Sequence, residues 1–303
     1  MKYAVKQVTT YNYASAVPFA KHVLRLTPMG DAGQTVLANT ITIDPAPRER
    51  QEDNDFFGNR VTHIAFESPH LTMTITCEAA IEKSEAVTDD LAATPTWTTV
   101  RDAVPLIADL SPRAPTHYIF ASRFVPIDPT IRDYAGQSFT PDRSILEAGL
   151  DLAMRIKADF AYDPAATDVT TPTTEAFSLK RGVCQDFAHV MIAGLRGLGL
   201  PAAYVSGYLR TEPPPGKPRL AGADATHAWV SLWCGEAIGW RGLDPTNGIT
   251  AGGDHLTLAF GRDYADVSPV DGVIVADGGH TLSVAVDVVP EGETLPEEPP
   301  RLS

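Results

Sequence analysis

The chain has 303 residues, enough for about two domains that each bury a core. Charged residues make up 20% and the hydrophobic set 44%, the balance of an ordinary globular protein. Its 24 basic side chains face 38 acidic ones, a formal net charge of −14 with no basic run, which argues against nucleic acid or an anionic membrane as partner.

Residues 3–85 read as a series of strands. Leu71, Met73, Ile75, Cys77 and Ala79 alternate with Thr72, Thr74, Thr76 and Glu78, the period of a half-buried strand. Gln34 to Asp44 forms another, with Ile41 and Ile43 in alternation, and Gly58-Asn59 before Val61–Glu67 signals a hairpin turn. Short strands at this spacing imply a small antiparallel β-sandwich-like domain over 1–85. Residues 86–128, rich in Thr, Ala and Pro, read as a connecting segment with little regular structure. The second domain starts at 129, and the texture changes after Pro141. Ile145, Leu146, Leu150, Leu152, Ala153, Ile156 and Phe160 recur at helical period and predict a helix over 142–160. Thr173-Thr174 with Glu175 mark a shorter helix, and a third runs from Cys184 to Leu198, closed by Gly199 and Pro201. Strands over 202–209, 228–234 and 240–243 follow, and the alternation of Leu282, Val284, Val286 and Val288 predicts a strand that closes the second domain, 129–289. The Pro- and Glu-rich residues 290–303 read as a mobile acidic tail. Strands, then helices, then strands make the fold class α+β.

The three cysteines, 77, 184 and 234, form no disulfide framework. Residues 1–25 contain no apolar signal segment and no run of 18 apolar residues occurs, so a cytoplasmic location is expected.

Cys184, in Gly182-Val183-Cys184-Gln185-Asp186-Phe187-Ala188, falls on the first turn of a helix. The positive end of the helix dipole favours a thiolate there, and free first-turn N–H groups can bind an oxyanion. Position alone leaves two readings open, a nucleophile and a buried structural cysteine. Cys77 and Cys234 lie in phase with apolar strand neighbours and read as packing residues. His227, in Thr226-His227-Ala228-Trp229-Val230, opens an apolar strand after the Pro- and Gly-rich loop 211–223 and could act as a general base. Asp244, in Leu243-Asp244-Pro245-Thr246-Asn247, sits where a strand meets a turn and could orient the imidazole. Singly each has a structural alternative. Their order along the chain, helix start then strand start then strand end, makes the set far more specific.

These motifs, with Ser206-Gly207-Tyr208, resemble the bacterial transglutaminase-like family. Tyr11-Asn12-Tyr13, Leu24-Arg25-Leu26-Thr27-Pro28 and Asp55-Phe56-Phe57-Gly58-Asn59 resemble the amino-terminal β module that accompanies it. The resemblance implies a papain-related α+β core behind a small β domain, with Cys184, His227 and Asp244 as a catalytic triad. Such sites carry a second oxyanion donor, for which Tyr162 is the candidate, with Gln185 as a weaker one. No cofactor is expected. A metal reading of Cys184, Asp186, His189 and His227 is disfavoured, because His189 lies roughly 140° around the helix from Cys184. HExxH, CxxC and phosphate-loop patterns are all missing.

The function that follows is acyl transfer from amide or peptide carbonyls of a protein or peptide substrate, through a thioester. Hydrolysis, as in a protease or amidase, is preferred over transfer to an amine. Two other readings are a non-catalytic peptide-binding module on the same fold and a thiol redox sensor. The latter lacks a resolving cysteine near Cys184.

Overall fold

The computed structural model describes residues 1–31, 33–84, 90–211, 222 and 224–293. In chain order the elements are β1 (Lys2–Val17), β2 (Phe19–Leu24), β3 (Gln34–Asp44), β4 (Glu49–Asn54), β5 (Arg60–Phe66), β6 (His70–Lys83), α1 (Trp97–Ala103), α2 (Pro129–Gly136), α3 (Ile145–Asp159), β7 (Ala161–Tyr162), α4 (Thr173–Leu179), β8 (Arg181–Gly182), α5 (Cys184–Gly197), β9 (Ala202–Leu209), β10 (Ala225–Trp233), β11 (Trp240–Asp244), β12 (Ile249–Thr250), β13 (His255–Gly261), α6 (Tyr264–Val267), β14 (Val270–Val275) and β15 (His280–Pro290).

The amino-terminal strands form two antiparallel four-stranded sheets, in the orders β15-β1-β6-β3 and β14-β2-β5-β4. Period-two patterning builds them: Met73, Ile75, Cys77, Ala79 and Ile81 of β6 are buried on one face. Between β4 and β5 the chain turns at Gly58, whose φ of +82° suits glycine, as the sequence anticipates. The Asp55 carboxylate accepts the N–H groups of Phe57 and Asn59 at 2.9 and 3.0 Å and shapes this turn.

The second sheet system has the order β12-β11-β10-β9-β13. Helix α5 packs against β10 and β9, with Phe187, Val190, Met191 and Leu195 in the same core as Ala228, Val230 and Leu232. Helix α3 places Leu152 and Ile156 in that core. The α+β class, a papain-like helix-on-sheet core behind a β module, is what the sequence implies.

Two segments depart from expectation. The strand at 280–290 does not close the five-stranded sheet: β15 pairs with β1 from Tyr3↔Pro290 to Tyr13↔His280, and β14 pairs with β2. The long edge of β1 offers a continuous ladder, and Val286 and Val288 are buried there beside Tyr3 and Val5. The connecting segment is also more ordered than its composition suggests. Thr96 Oγ1 accepts the Thr99 N–H and starts α1, short 3₁₀ turns lie at Leu91–Ala93, Val104–Leu106 and Pro115–Tyr118, and Tyr118 is fully buried. One of its carbonyls anchors the core: the buried Arg196 guanidinium donates to Phe120 O at 3.1 Å, and also to Ala202 O of β9 at 2.8 Å. Most of the loop 211–223 and residues 294–303 of the acidic tail lie outside the described residues. No described helix is long and apolar enough to cross a membrane.

Candidate active site

Helix α5 begins abruptly, and Gly182 and Asp186 make that possible. Gly182 has a φ of +156°, and a Cβ there would overlap the Asp186 carboxylate. That carboxylate accepts the Val183 N–H at 2.8 Å and the Thr167 hydroxyl at 2.7 Å, so Asp186 caps the helix. Cys184, the first helical residue, is a free thiol at intermediate exposure.

His227, near the start of β10, is buried and close enough to the Cys184 side chain for the two to interact electrostatically. Its Nε2 lies 2.8 Å from Asp244 Oδ2, so Nδ1 is the ring nitrogen not engaged by Asp244. Burial alone would push the imidazole down; its interactions with Asp244 and Cys184 outweigh that and raise it to about 9. Asp244 ends β11 with no solvent exposure. Its Oδ1 accepts the N–H groups of Thr246 and Asn247 at 2.9 and 3.1 Å. Its Oδ2 accepts Asn247 Nδ2 at 2.7 Å and His255 Nε2 at 3.1 Å as well as His227. Burial pushes this carboxyl up, but the bonds from His227 and His255 hold it well below the usual carboxylate range.

The three residues singled out in the sequence therefore meet in one cluster, with His227 hydrogen-bonded to Asp244 and interacting electrostatically with Cys184. Tyr162 lies at the rim. It pairs with Gly182 between β7 and β8, its ring centroid is 6.4 Å from that of Phe187, and it is half exposed. Burial, then the nearby Cys184, raises its hydroxyl above the ordinary tyrosine value. Gln185 is turned toward Val169, its Nε2 3.4 Å from the Val169 carbonyl.

The remaining cysteines and His189 sit elsewhere. Cys77 is fully buried, its Sγ 2.9 Å from Leu26 O, and burial pushes its thiol up to about 12. Cys234 is fully buried in the helical core. His189 stacks on Phe124 at 5.7 Å and accepts the Tyr264 N–H at 3.2 Å, so it takes no part in the site.

The sequence reading passed over His255. A glycine-rich turn, Gly252-Gly253-Asp254, followed by an alternating strand that opens on histidine, repeats the context of His227 and could have signalled it. His227, Asp244 and His255 bring one ligand-type atom each within 4.8 Å of one another. Both imidazoles already hydrogen-bond the Asp244 carboxylate, the arrangement of an imidazole–carboxylate network and not of an open metal shell.

Ser206-Gly207-Tyr208 supplies the packing behind the line. A Cβ on Gly207 would overlap the Trp229 ring and the Leu256 carbonyl, so glycine lets Trp229 lie flat against β9. Trp229 in turn contacts both imidazoles, with ring centroids 6.2 Å from His227 and 5.2 Å from His255.

Comparison with known proteins places this arrangement. Residues 3–82 match the bacterial transglutaminase-like N-terminal region, and residues 132–245 match the transglutaminase-like superfamily. The chain belongs to the transglutaminase-like superfamily. An uncharacterized protein of Mycobacterium tuberculosis is 39% identical over 299 residues, covering 97% of this chain and 95% of that protein. One from Mycobacterium leprae is 30% identical over 283 residues, covering 92% and 95%. A protein-glutamine gamma-glutamyltransferase of Pseudomonas aeruginosa is 36% identical over 95 residues, 29% of this chain and 14% of that protein. Among solved structures, a "Putative Cysteine Protease" from Cytophaga hutchinsonii superposes with a TM-score of 0.74 at 20% identity, covering 97% of this chain and 93% of that one, which shows the shared fold. Within this superfamily, Gly182 to Asp186 and Thr226 to Trp229 all fall inside the matched core region.

Proposed function

We propose that the protein is a cysteine-nucleophile enzyme that cleaves amide or peptide carbonyls by acyl transfer, with water as the preferred acceptor. The observation that carries this reading is the Cys184–His227–Asp244 line, laid across a helix start, a strand start and a strand end. Cys184 passes its proton to His227, and the sulfur attacks the carbonyl carbon. The carbonyl oxygen takes the charge against the first-turn N–H groups of α5 and the Tyr162 hydroxyl. The C–N bond breaks as His227 returns the proton to the leaving amine, and a thioester remains. Water then attacks the thioester with His227 as base, releasing a carboxylic acid and restoring the thiol. Asp244 holds His227 in orientation and stabilises its charged form throughout.

The acidic surface and the lack of a basic run support a protein or peptide substrate and not a nucleic acid. The test is intact-mass spectrometry after mixing with p-nitrophenyl acetate, with and without a primary amine such as putrescine. An acetyl adduct on the wild type that is missing from Cys184→Ala, and whose decay does not depend on amine, supports hydrolysis. Decay that accelerates with amine assigns the transferase reading instead. No adduct on Cys184 leaves the fold as a binding module.

A further inference from the structure

The Asp244 carboxylate serves two imidazoles through a single oxygen. Oδ2 receives His227 Nε2 at 2.8 Å, Asn247 Nδ2 at 2.7 Å and His255 Nε2 at 3.1 Å. The tautomer of His255 follows from its other nitrogen. Nδ1 lies 3.1 Å from the backbone nitrogen of Gly252, and a backbone N–H can only donate. Nδ1 is therefore the acceptor, and Nε2 carries the hydrogen that points at Asp244. The ring is fixed by more than these bonds: it is buried, and Trp229 packs against it edge-on at 81°.

A third donor on Oδ2 has a calculable direction. Each N–H that shares the oxygen's negative charge leaves less of it for the others. A carboxylate that held His227 without competition would favour the imidazolium more strongly. Strong retention suits the charged pair, but it hinders the hydrolytic half of the cycle, where His227 must be neutral to take a proton from water. His255 and Asn247 temper that retention. We infer that His255 is a positioning residue for this site, whose Nε2–H limits how tightly Asp244 holds the His227 proton and so keeps His227 able to alternate between acid and base. The inference rests on the cysteine acyl-transfer reading.

The groups around this network are defined. His227 faces Cys184 and Asp244, and its ring centroid is 6.1 Å from that of His255. On its other side His255 borders a cavity of about 720 Å³, whose walls include Asp31, Lys83, Arg113 and Arg241. Removing the His255 donor does not release Asp244, because Thr246 N, Asn247 N and Asn247 Nδ2 remain. The charge effect on His227 thus outweighs any loss of position.

The experiment compares the wild type with His255→Phe, which keeps a ring and loses the donor, and His255→Gln, which restores a donor near Nε2. Cys184 alkylation by iodoacetamide is followed by peptide mass spectrometry from about pH 5 to 10, spanning the ordinary histidine and thiol ranges. In His255→Phe the basic limb of the profile moves up by about half a unit, and p-nitrophenyl acetate-derived acyl-enzyme hydrolyses about threefold more slowly at neutral pH. His255→Gln keeps the wild-type limb. An unchanged or lowered limb in His255→Phe overturns the inference, as does an equal shift in both variants, which a purely structural role produces. Should His255→Phe not fold, the side-chain ¹⁵N spectrum of wild-type histidines decides: a protonated Nε2 with a bare Nδ1 on His255 sustains the inference, and a protonated Nδ1 ends it. If wild-type Cys184 reacts no faster than Cys77 and Cys234, the acyl-transfer reading fails first. Normal wild-type reactivity with unaltered variants sinks the His255 role alone.

Discussion

His227 Nε2 lies 2.8 Å from Asp244 Oδ2, inside a pocket where the carboxylate has no solvent contact. Water cannot substitute for either partner, so this bond is the polar contact that, with the Trp229 ring beside it, orients the imidazole. Asp244→Asn keeps the shape and removes the charge. Turnover of an activated ester should fall by roughly 10² to 10³-fold, less than the ~10⁴ seen for the same change in serine triads. A thiol gives up its proton more readily than a hydroxyl, which is why the loss is smaller. Single-turnover acylation measures it, with circular dichroism checking the fold; acylation at the wild-type rate would return Asp244 to a turn residue.

The nucleophile can be tested without a substrate. A short iodoacetamide pulse at neutral pH should modify Cys184 well before Cys77 or Cys234, both of which are fully buried. Burial adds a second barrier at Cys77 by pushing its thiol up to about 12. Peptide mass spectrometry gives the order directly, and equal labelling of the three contradicts the assignment.

Stability should carry a signature of His227. Its folded value, about 9, exceeds the ordinary 6.5, so folding takes up a proton in that interval. The stabilisation is fully present below about pH 6.5 and fades as pH rises through about 9. Asp244 acts in the opposite sense: its lowered value stabilises above the ordinary carboxylate range and is lost only in strong acid. Urea midpoints between pH 6 and about 9.5 should therefore fall more steeply in the wild type than in His227→Gln. Parallel slopes would refute the raised imidazole.

Gly207→Ala tests the packing behind the site. The added methyl meets the Trp229 ring and the Leu256 carbonyl on a central strand, where neither can withdraw freely. A loss of about 2–3 kcal/mol is expected from overpacking. Because Trp229 touches both imidazoles, the alkylation rate of Cys184 should drop along with the urea midpoint. A variant that loses stability at unchanged reactivity would uncouple Trp229 from the site.

The fold and the candidate site residues were legible for different reasons. Ile145 to Phe160 and Leu71 to Ala79 declare helix and strand through periodicity, and α3 and β6 follow them. Cys184, His227 and Asp244 stood out because each occupies the end of an element, where a polar side chain can leave the core. His255 was harder to see. Its partner Asp244 is 11 residues away, and β13 pairs with β9, with β10 between β9 and β11, so the bond spans strands that are not neighbours in the sheet. The destination of β15 was equally hidden, since an alternating strand states which face is buried but not which neighbour it pairs with.

That destination bears on biosynthesis. β1 is made before residues 132–245, yet one of its edges is completed only by residues 280–290, which follow them. The bridge between Asp224 and Val286 lies three residues before His227, so the same late segment also braces the approach to the site. A nascent chain exposes the unfinished β1 edge until residues 280–290 are made, and the bridge between Asp224 and Val286 forms no earlier. Ribosome-bound chains stalled before residue 280 should consequently engage edge-capping chaperones and remain inert toward thiol reagents directed at Cys184.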